Sequence, residues 1–156
     1  SGLKDPLFFY YNMENIKKII ESHMPSKAEL LSFHYNPRSS FIKIVIDSRE
    51  EITIDDTAIL ARDIKNDDSI VSNFPEGIRL EVGTPGVGSK LEKAFQFEKN
   101  IGRKIELEYY DGNEIIKKTC LLKSVGENSI IVVKNNKIDD ISFNDLHSAK
   151  IKVSFD

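Results

Sequence analysis

The chain of 156 residues has no tryptophan, a single cysteine, three histidines and five prolines. One thiol, Cys120, excludes an intrachain disulfide and a cysteine-built zinc site, and such sparing use of cysteine suits a reducing cytoplasm. No stretch approaches the unbroken run of roughly 18 apolar residues that a membrane span needs. No charged-then-apolar leader precedes a small-residue cleavage site, so a soluble, unexported protein without a membrane partner is expected. Ser1-Gly2 stands where a Met would, and reads as an expression remnant outside the fold. A basic excess is missing too: 22 Lys and Arg face 25 Asp and Glu, for a net charge of -3. Autonomous nucleic-acid domains usually show the opposite balance, which argues against tight binding to naked nucleic acid. The acidity sits in the first half, with 14 acidic against 11 basic residues up to Lys90. Such a half suits docking to a basic partner, although a solvated face is the plainer explanation. His23, His34 and His147 are far apart and form no H-x-x-x-H spacing, and no Gly-x-Ser-x-Gly elbow occurs. Neither a catalytic site nor a metal site is expected.

What the chain does hold is ordinary globular composition, 40% hydrophobic and 30% charged. Asp5-Pro6 opens a helix, as an Asp cap followed by Pro at the first helical position should. A stripe of Phe9, Met13, Ile16 and Ile20 continues it until Pro25. Ala28–Tyr35 and Phe41–Asp47 flank the turn cluster Asn36-Pro-Arg-Ser-Ser40 and predict a hairpin. Thr53-Ile-Asp-Asp56 predicts a capping box with Asp in place of Glu, ahead of a helix whose Ile54, Ala58, Ala61 and Ile64 point inward and which runs to about Val71. Ile78, Leu80 and Val82 alternate with Arg79 and Glu81 and predict a strand wet on one face. The first half reads αββαβ. Beyond it, a short helix within Leu91–Ile101, Phe95 inward, is ended by Gly102. Five strands then follow at Arg103–Tyr110, Glu114–Ser124, Ser129–Lys134, Lys137–Ser142 and Ala149–Phe155. Turns are expected at Asp111-Gly112, Glu127-Asn128 and Asn135-Asn136. Short strands at this spacing without helices predict a small barrel. The fold class is therefore α+β, with an α/β domain over residues 1–88 and a barrel domain over 89–156.

Between the halves lies Leu80-Glu-Val-Gly-Thr-Pro-Gly-Val-Gly-Ser-Lys-Leu91, which superficially resembles a phosphate-binding loop. A P-loop places Lys directly after its last Gly and a hydroxyl next, so that the ammonium reaches phosphate and the hydroxyl reaches magnesium. Here Ser89 and Lys90 come in the reverse order, which on a helix misplaces each by roughly 100°. A nucleotide enzyme is thus a remote alternative. The plainer expectation is an interdomain turn, with Pro85, Gly86 and Gly88 as hinge residues. Basic residues gather around this junction: Arg79, Lys90, Lys93, Lys99, Arg103 and Lys104. They are the candidate phosphate contacts, set against the plain alternative of a face interleaved with Glu92 and Glu98. Tyr109-Tyr110 can offer one ring for base stacking while the other packs inward. Cys120, beside Leu121 and Leu122, reads as a small buried apolar residue.

Ile42–Asp47, Ile52-Thr-Ile-Asp-Asp56, Leu80-Glu-Val-Gly-Thr-Pro-Gly86 and Phe95 to Gly102-Arg103-Lys104 together resemble the RimP family of bacterial ribosome maturation factors. The likeness runs from about Phe8 to Val153. One departure stands out: the family continues its Pro-Gly with Leu-Asp-Arg-Pro-Leu, whereas this chain has Val87-Gly-Ser-Lys-Leu91, leaving Lys90 as the nearby positive charge. The resemblance implies two helices on a three-stranded sheet, joined to an SH3-like or Sm-like barrel. It implies transient, non-catalytic binding to the immature small (30S) ribosomal subunit by a monomer without a cofactor. The implied partners are ribosomal RNA and a basic small-subunit protein, the latter with Asp55 and Asp56 as candidate docking residues, although those carboxylates also suit helix capping. An unspecified SH3/Sm-like interaction module is the alternative.

Overall fold

In a computed structural model, residues 6–86 and 88–153 are described, with side chains from Asn12 onward. The chain divides into two compact units, one up to Pro85 and one from Gly86. Among the described residues no helix is long and apolar enough to cross a membrane.

The first unit is organised by strand β2 (Phe41–Ser48). The two-residue period of a strand sends Ile42, Ile44 and Ile46 to one face, and each is 0% exposed. β1 (Ala28–Asn36) pairs antiparallel with β2, while β3 (Arg79–Gly83) pairs parallel on its other side. Parallel neighbours need a crossover of a dozen or more residues. The chain supplies it as α2 (Ile54–Lys65) and α3 (Asp68–Asn73). With α1 (Pro6–His23) the order is αββααβ. Ile16 and Ile20 of α1, Leu60 and Ile64 of α2 and Ile70 of α3 join Tyr35 and Phe74 on the isoleucine row to make one core. The cap expected from Asp5 and the packing expected of Phe9 lie outside the described residues.

Two expectations for the crossover need correction. The helix expected to reach Val71 is broken at Asn66-Asp67: Asp67 is extended (φ -63°, ψ 131°), and its carboxylate accepts from the Ser69 and Ile70 amides at 2.8 and 3.4 Å. Asp side chains compete in this way with helix continuation and start a new helix instead. The inward stripe also shifts. Leu60 and Ile64 are buried, whereas Ile54 is 87% exposed and Ala58 is exposed. The capping box forms as read, Thr53 Oγ1 accepting from the Asp56 amide at 3.1 Å and Asp56 Oδ2 from the Thr53 amide at 2.9 Å.

In the second unit, β4 (Lys104–Asp111), β5 (Glu114–Val125), β6 (Ser129–Lys134), β7 (Lys137–Ser142) and β8 (Leu146–Ile151) form an antiparallel sheet in the order β7-β6-β5-β4-β8. A 3-10 turn at Phe143–Asp145 carries the chain from one edge to the other. Ile141 and Ala149, from opposite edges, share a core with Ile105, Leu122 and Val132, so the sheet wraps around its interior. Among the described residues no ladder joins β7 to β8, and the expected barrel is left unclosed. Bulges at Leu122/Ser124 and Glu108/Tyr109 supply local bending.

The helix read within Leu91–Ile101 contracts to α4 (Ala94–Glu98). Its start is fixed by Gln96, whose Oε1 accepts from the Glu92 and Lys93 amides at 2.8 and 2.9 Å. Leu91 is already committed to the sheet, its amide donating to Ala149 at 2.7 Å. Phe97, 1% exposed, enters the core and meets Phe143 edge-on with centroids 5.5 Å apart. Asn135 and Asn136 form their turn with φ of 51° and 65°. The other strong candidate slips by one residue, because Asp111 pairs with Glu114 and leaves Gly112-Asn113 as the loop, Gly112 taking φ 65°. The last strand begins at Leu146 instead of Ala149, since Leu146 pairs with Tyr109 across the bulge.

Asp67 ties two elements together: besides capping α3, its Oδ2 meets His23 Nε2 at the end of α1 at 2.7 Å. That bond, ahead of the backbone amides, holds the Asp67 carboxyl below the ordinary aspartate pKa. A lowered folded-state pKa contributes stability above the unfolded value, lost as pH falls through the folded one. Asp67→Ala is expected to cost about 1 kcal/mol at neutral pH, or about 4–8 °C in the first unit's melting point. In thermal melts at stepped pH, the gap from the parent should shrink below about pH 4.

Candidate functional site

The glycine-rich loop takes its character from the residues on either side of it. Gly83 ends β3, the Ser89 amide donates to Gly86 at 3.1 Å, and Gly88 takes φ 83°. Lys90 then bridges antiparallel to Lys150, and the next helix is the short α4. A phosphate cradle requires the turn to feed directly into a helix whose amides point at the anion. Here Lys90 belongs to a β-bridge, and Gly86 and Gly88 belong to a turn closed by the Ser89 amide.

Of the basic residues read from the sequence, Arg79 lies in the first unit and the other five in the second. Arg79 is exposed on β3, with Nη2 3.4 Å from Glu81 Oε1 and Cζ 4.8 Å from the centre of the Phe41 ring. Lys93 and Lys99 flank α4 as its exposed cap positions. Arg103 and Lys104 are exposed where β4 begins. Strand pairing adds three cations that reading the sequence alone missed. Lys104 pairs with Leu121, two residues before Lys123; the Lys152 amide donates to the Lys104 carbonyl at 3.0 Å; and Lys150 lies beside Lys90. Lys90, Arg103, Lys104, Lys150 and Lys152 therefore lie where β8 returns alongside β4, with Glu106 paired opposite Lys150, and Lys123 lies on β5, on the other side of β4. Among the described residues none of the six makes a salt bridge. The signal for the three missed residues is the pairing of β5 and β8 with β4, which runs of charge along the sequence do not display.

Other groups are already engaged. Asp56 is bound into the α2 capping box, while Asp55 is exposed beside it. Tyr109 packs against the second core, and Tyr110, 43% exposed, meets the His147 ring edge-on at 5.7 Å. Lys118 is 14% exposed, pairs with Asp139 and lies 5.4 Å from the Tyr109 ring centre. Burial pulls its ammonium pKa down, but hydrogen bonding to Asp139 and Tyr109 more than offsets this and raises it. The same bond lowers the Asp139 carboxyl. Cys120, 4% exposed, has its thiol pKa pushed up by burial, which fits its expected apolar role. His23 is held by Asp67, His34 faces outward on β1, and His147 lies on β8. Among the described residues no group of three His, Cys, Asp or Glu is placed to hold a metal ion.

Comparison with known proteins bears on what these surfaces serve. Residues 16–88 match the family described as the RimP N-terminal domain. The chain is also 27% identical, over an alignment of 156 residues, to the ribosome maturation factor RimP of Christiangramia forsetii, covering 91% of this chain and 98% of that protein.

The basic cluster in the second unit generates a direct test. Reversing two of its charges together, as Arg103→Glu with Lys104→Glu, should weaken binding to single-stranded RNA. The slope of log affinity against log salt should fall by about 0.7 for each phosphate no longer neutralised. Fluorescence anisotropy over a salt series reads both quantities, and an unchanged slope would remove these residues from the contact surface.

Proposed function

We propose that this chain, whose residues 16–88 match the RimP N-terminal domain, is a ribosome maturation factor that binds the immature small (30S) subunit transiently and assists its assembly without a covalent step. The observation that carries the reading is the likeness to RimP, which spans both units. The charges support it. Ten basic and fourteen acidic residues before Gly86 leave the first unit at -4, whereas twelve and eleven leave the second at +1. An acidic unit suits a basic ribosomal protein, and exposed cations around β4 and β8 suit ribosomal RNA.

In this reading Arg103, Lys104 and Lys90 contact phosphate, joined by Lys123, Lys150 and Lys152, with Arg79, Lys93 and Lys99 as further contacts. Asp55 is the freer of the two carboxylates for docking a basic protein. Pro85, Gly86 and Gly88 form the connector. The protein works in the cytoplasm, where its target is made, and needs no cofactor.

Sedimentation of lysate through a gradient tests the reading. The protein is expected in small-subunit or precursor fractions at low salt and at the top of the gradient at high salt. Failure to enter those fractions at low salt would refute the assignment.

A further inference from the structure

β3 is the outer strand of the first unit's sheet, with β2 on one side and, among the described residues, no strand on the other. The Arg79 amide donates to Ser40 at 3.0 Å, so the backbone groups of Arg79 and Glu81 face β2. Alternation along a strand then turns the N–H and C=O groups of Leu80 and Val82 toward the open edge. A cleft of about 470 Å³ lies against β3. Its walls include Thr57, Ala58 and Ala61 of α2 above and Leu80, Val82 and Gly83 of β3 below. The apolar stripe on α2 that lacks a partner, exposed Ala58 with Ile54 one turn before it, lies on this helix. A helix carrying two apolar stripes, only one of them against the sheet, is what a sheet short of one strand would show.

We propose that this cleft receives an extended segment of a basic protein, which adds to β3 as a fourth strand. Two features select that occupant. The open edge offers alternating donors and acceptors at strand spacing, which a polypeptide backbone matches and a phosphate backbone does not. The surrounding unit carries 14 acidic against 10 basic residues, which favours a cationic partner and repels nucleic acid. Small side chains at Ala58 and Ala61 leave room for the incoming strand's inward residues, and Lys43 and Glu81, paired across β2 and β3, also line the cleft and balance each other's charge. This inference rests on the proposed ribosomal role and gives its protein contact a place.

The experiment mixes purified precursor small subunits with wild-type protein, with Ala58→Trp, which fills the cleft, and with Val82→Pro, which removes one edge donor. Ala58 is exposed, so Ala58→Trp should melt like the parent and remains informative if Val82→Pro does not fold. Both folded variants are expected to lose at least tenfold in affinity. Amide exchange at Leu80 and Val82 should slow at least tenfold in the wild-type complex. Wild-type binding with undiminished Ala58→Trp binding and no protection at those amides would overturn the docking site and leave the ribosomal role standing. A wild-type protein that never binds precursors would end both. Small-subunit RNA stripped of protein is the control, and an equal loss there would overturn the protein occupant in favour of RNA. A wild-type dimer made monomeric by Ala58→Trp would overturn it in favour of a second copy.

Discussion

The first unit depends on the isoleucine row of β2. Ile42, Ile44 and Ile46 are each fully removed from solvent, and full burial of such a side chain contributes about 1.5–3 kcal/mol. The ion pair between Lys27 and Glu50 is by contrast 66% exposed on both sides, in a class of contacts worth about 0–1 kcal/mol. Burying the row requires helices over that face, and the parallel placement of β3 requires that the chain cross over that same face to reach it. Among the described residues no strand lies beyond β3, and that edge of the sheet is open.

The second unit solves a different problem with few residues. Its sheet wraps around one interior, and Phe97 from a helix of five residues fills space the strands alone leave open. The return of β8 beside β4 has an electrostatic result as well. Residues separated by some 50 positions, Lys104 and Lys152, become neighbours, and cations that look scattered along the sequence converge. Overall acidity and a local cationic surface coexist because the net negative charge lies in the first unit, while the nearly neutral second unit gathers part of its cations in one place.

Strands were the most legible part of this molecule. β6 and β7 occupy the residues that alternation and turn chemistry marked, Ser129–Lys134 and Lys137–Ser142, because two positive-φ asparagines fix the register between them. The helical crossover was less legible. Its sequence supports two apolar stripes, one through Ile54, Ala58 and Ala61 and one through Leu60 and Ile64, and periodicity alone does not say which meets the sheet. The break at Asp67 was hidden for a related reason: one carboxylate choosing two backbone amides over helix continuation leaves the surrounding pattern intact. The loop between the units was legible by negation, since the order of Ser89 and Lys90 argued against a phosphate cradle and the β-bridge at Lys90 agrees. The cationic surface was half legible, because contacts made by strand pairing leave no periodic trace.

Cys120 has a practical consequence. It is the chain's sole thiol, it pairs with Ile105 in the middle of the second sheet, and burial keeps it protonated. An alkylating reagent reaches such a sulfur only when that sheet opens. The chain thus carries a built-in reporter, confined to one half, whose modification rate follows the breathing of the wrapped sheet while the other half stays silent.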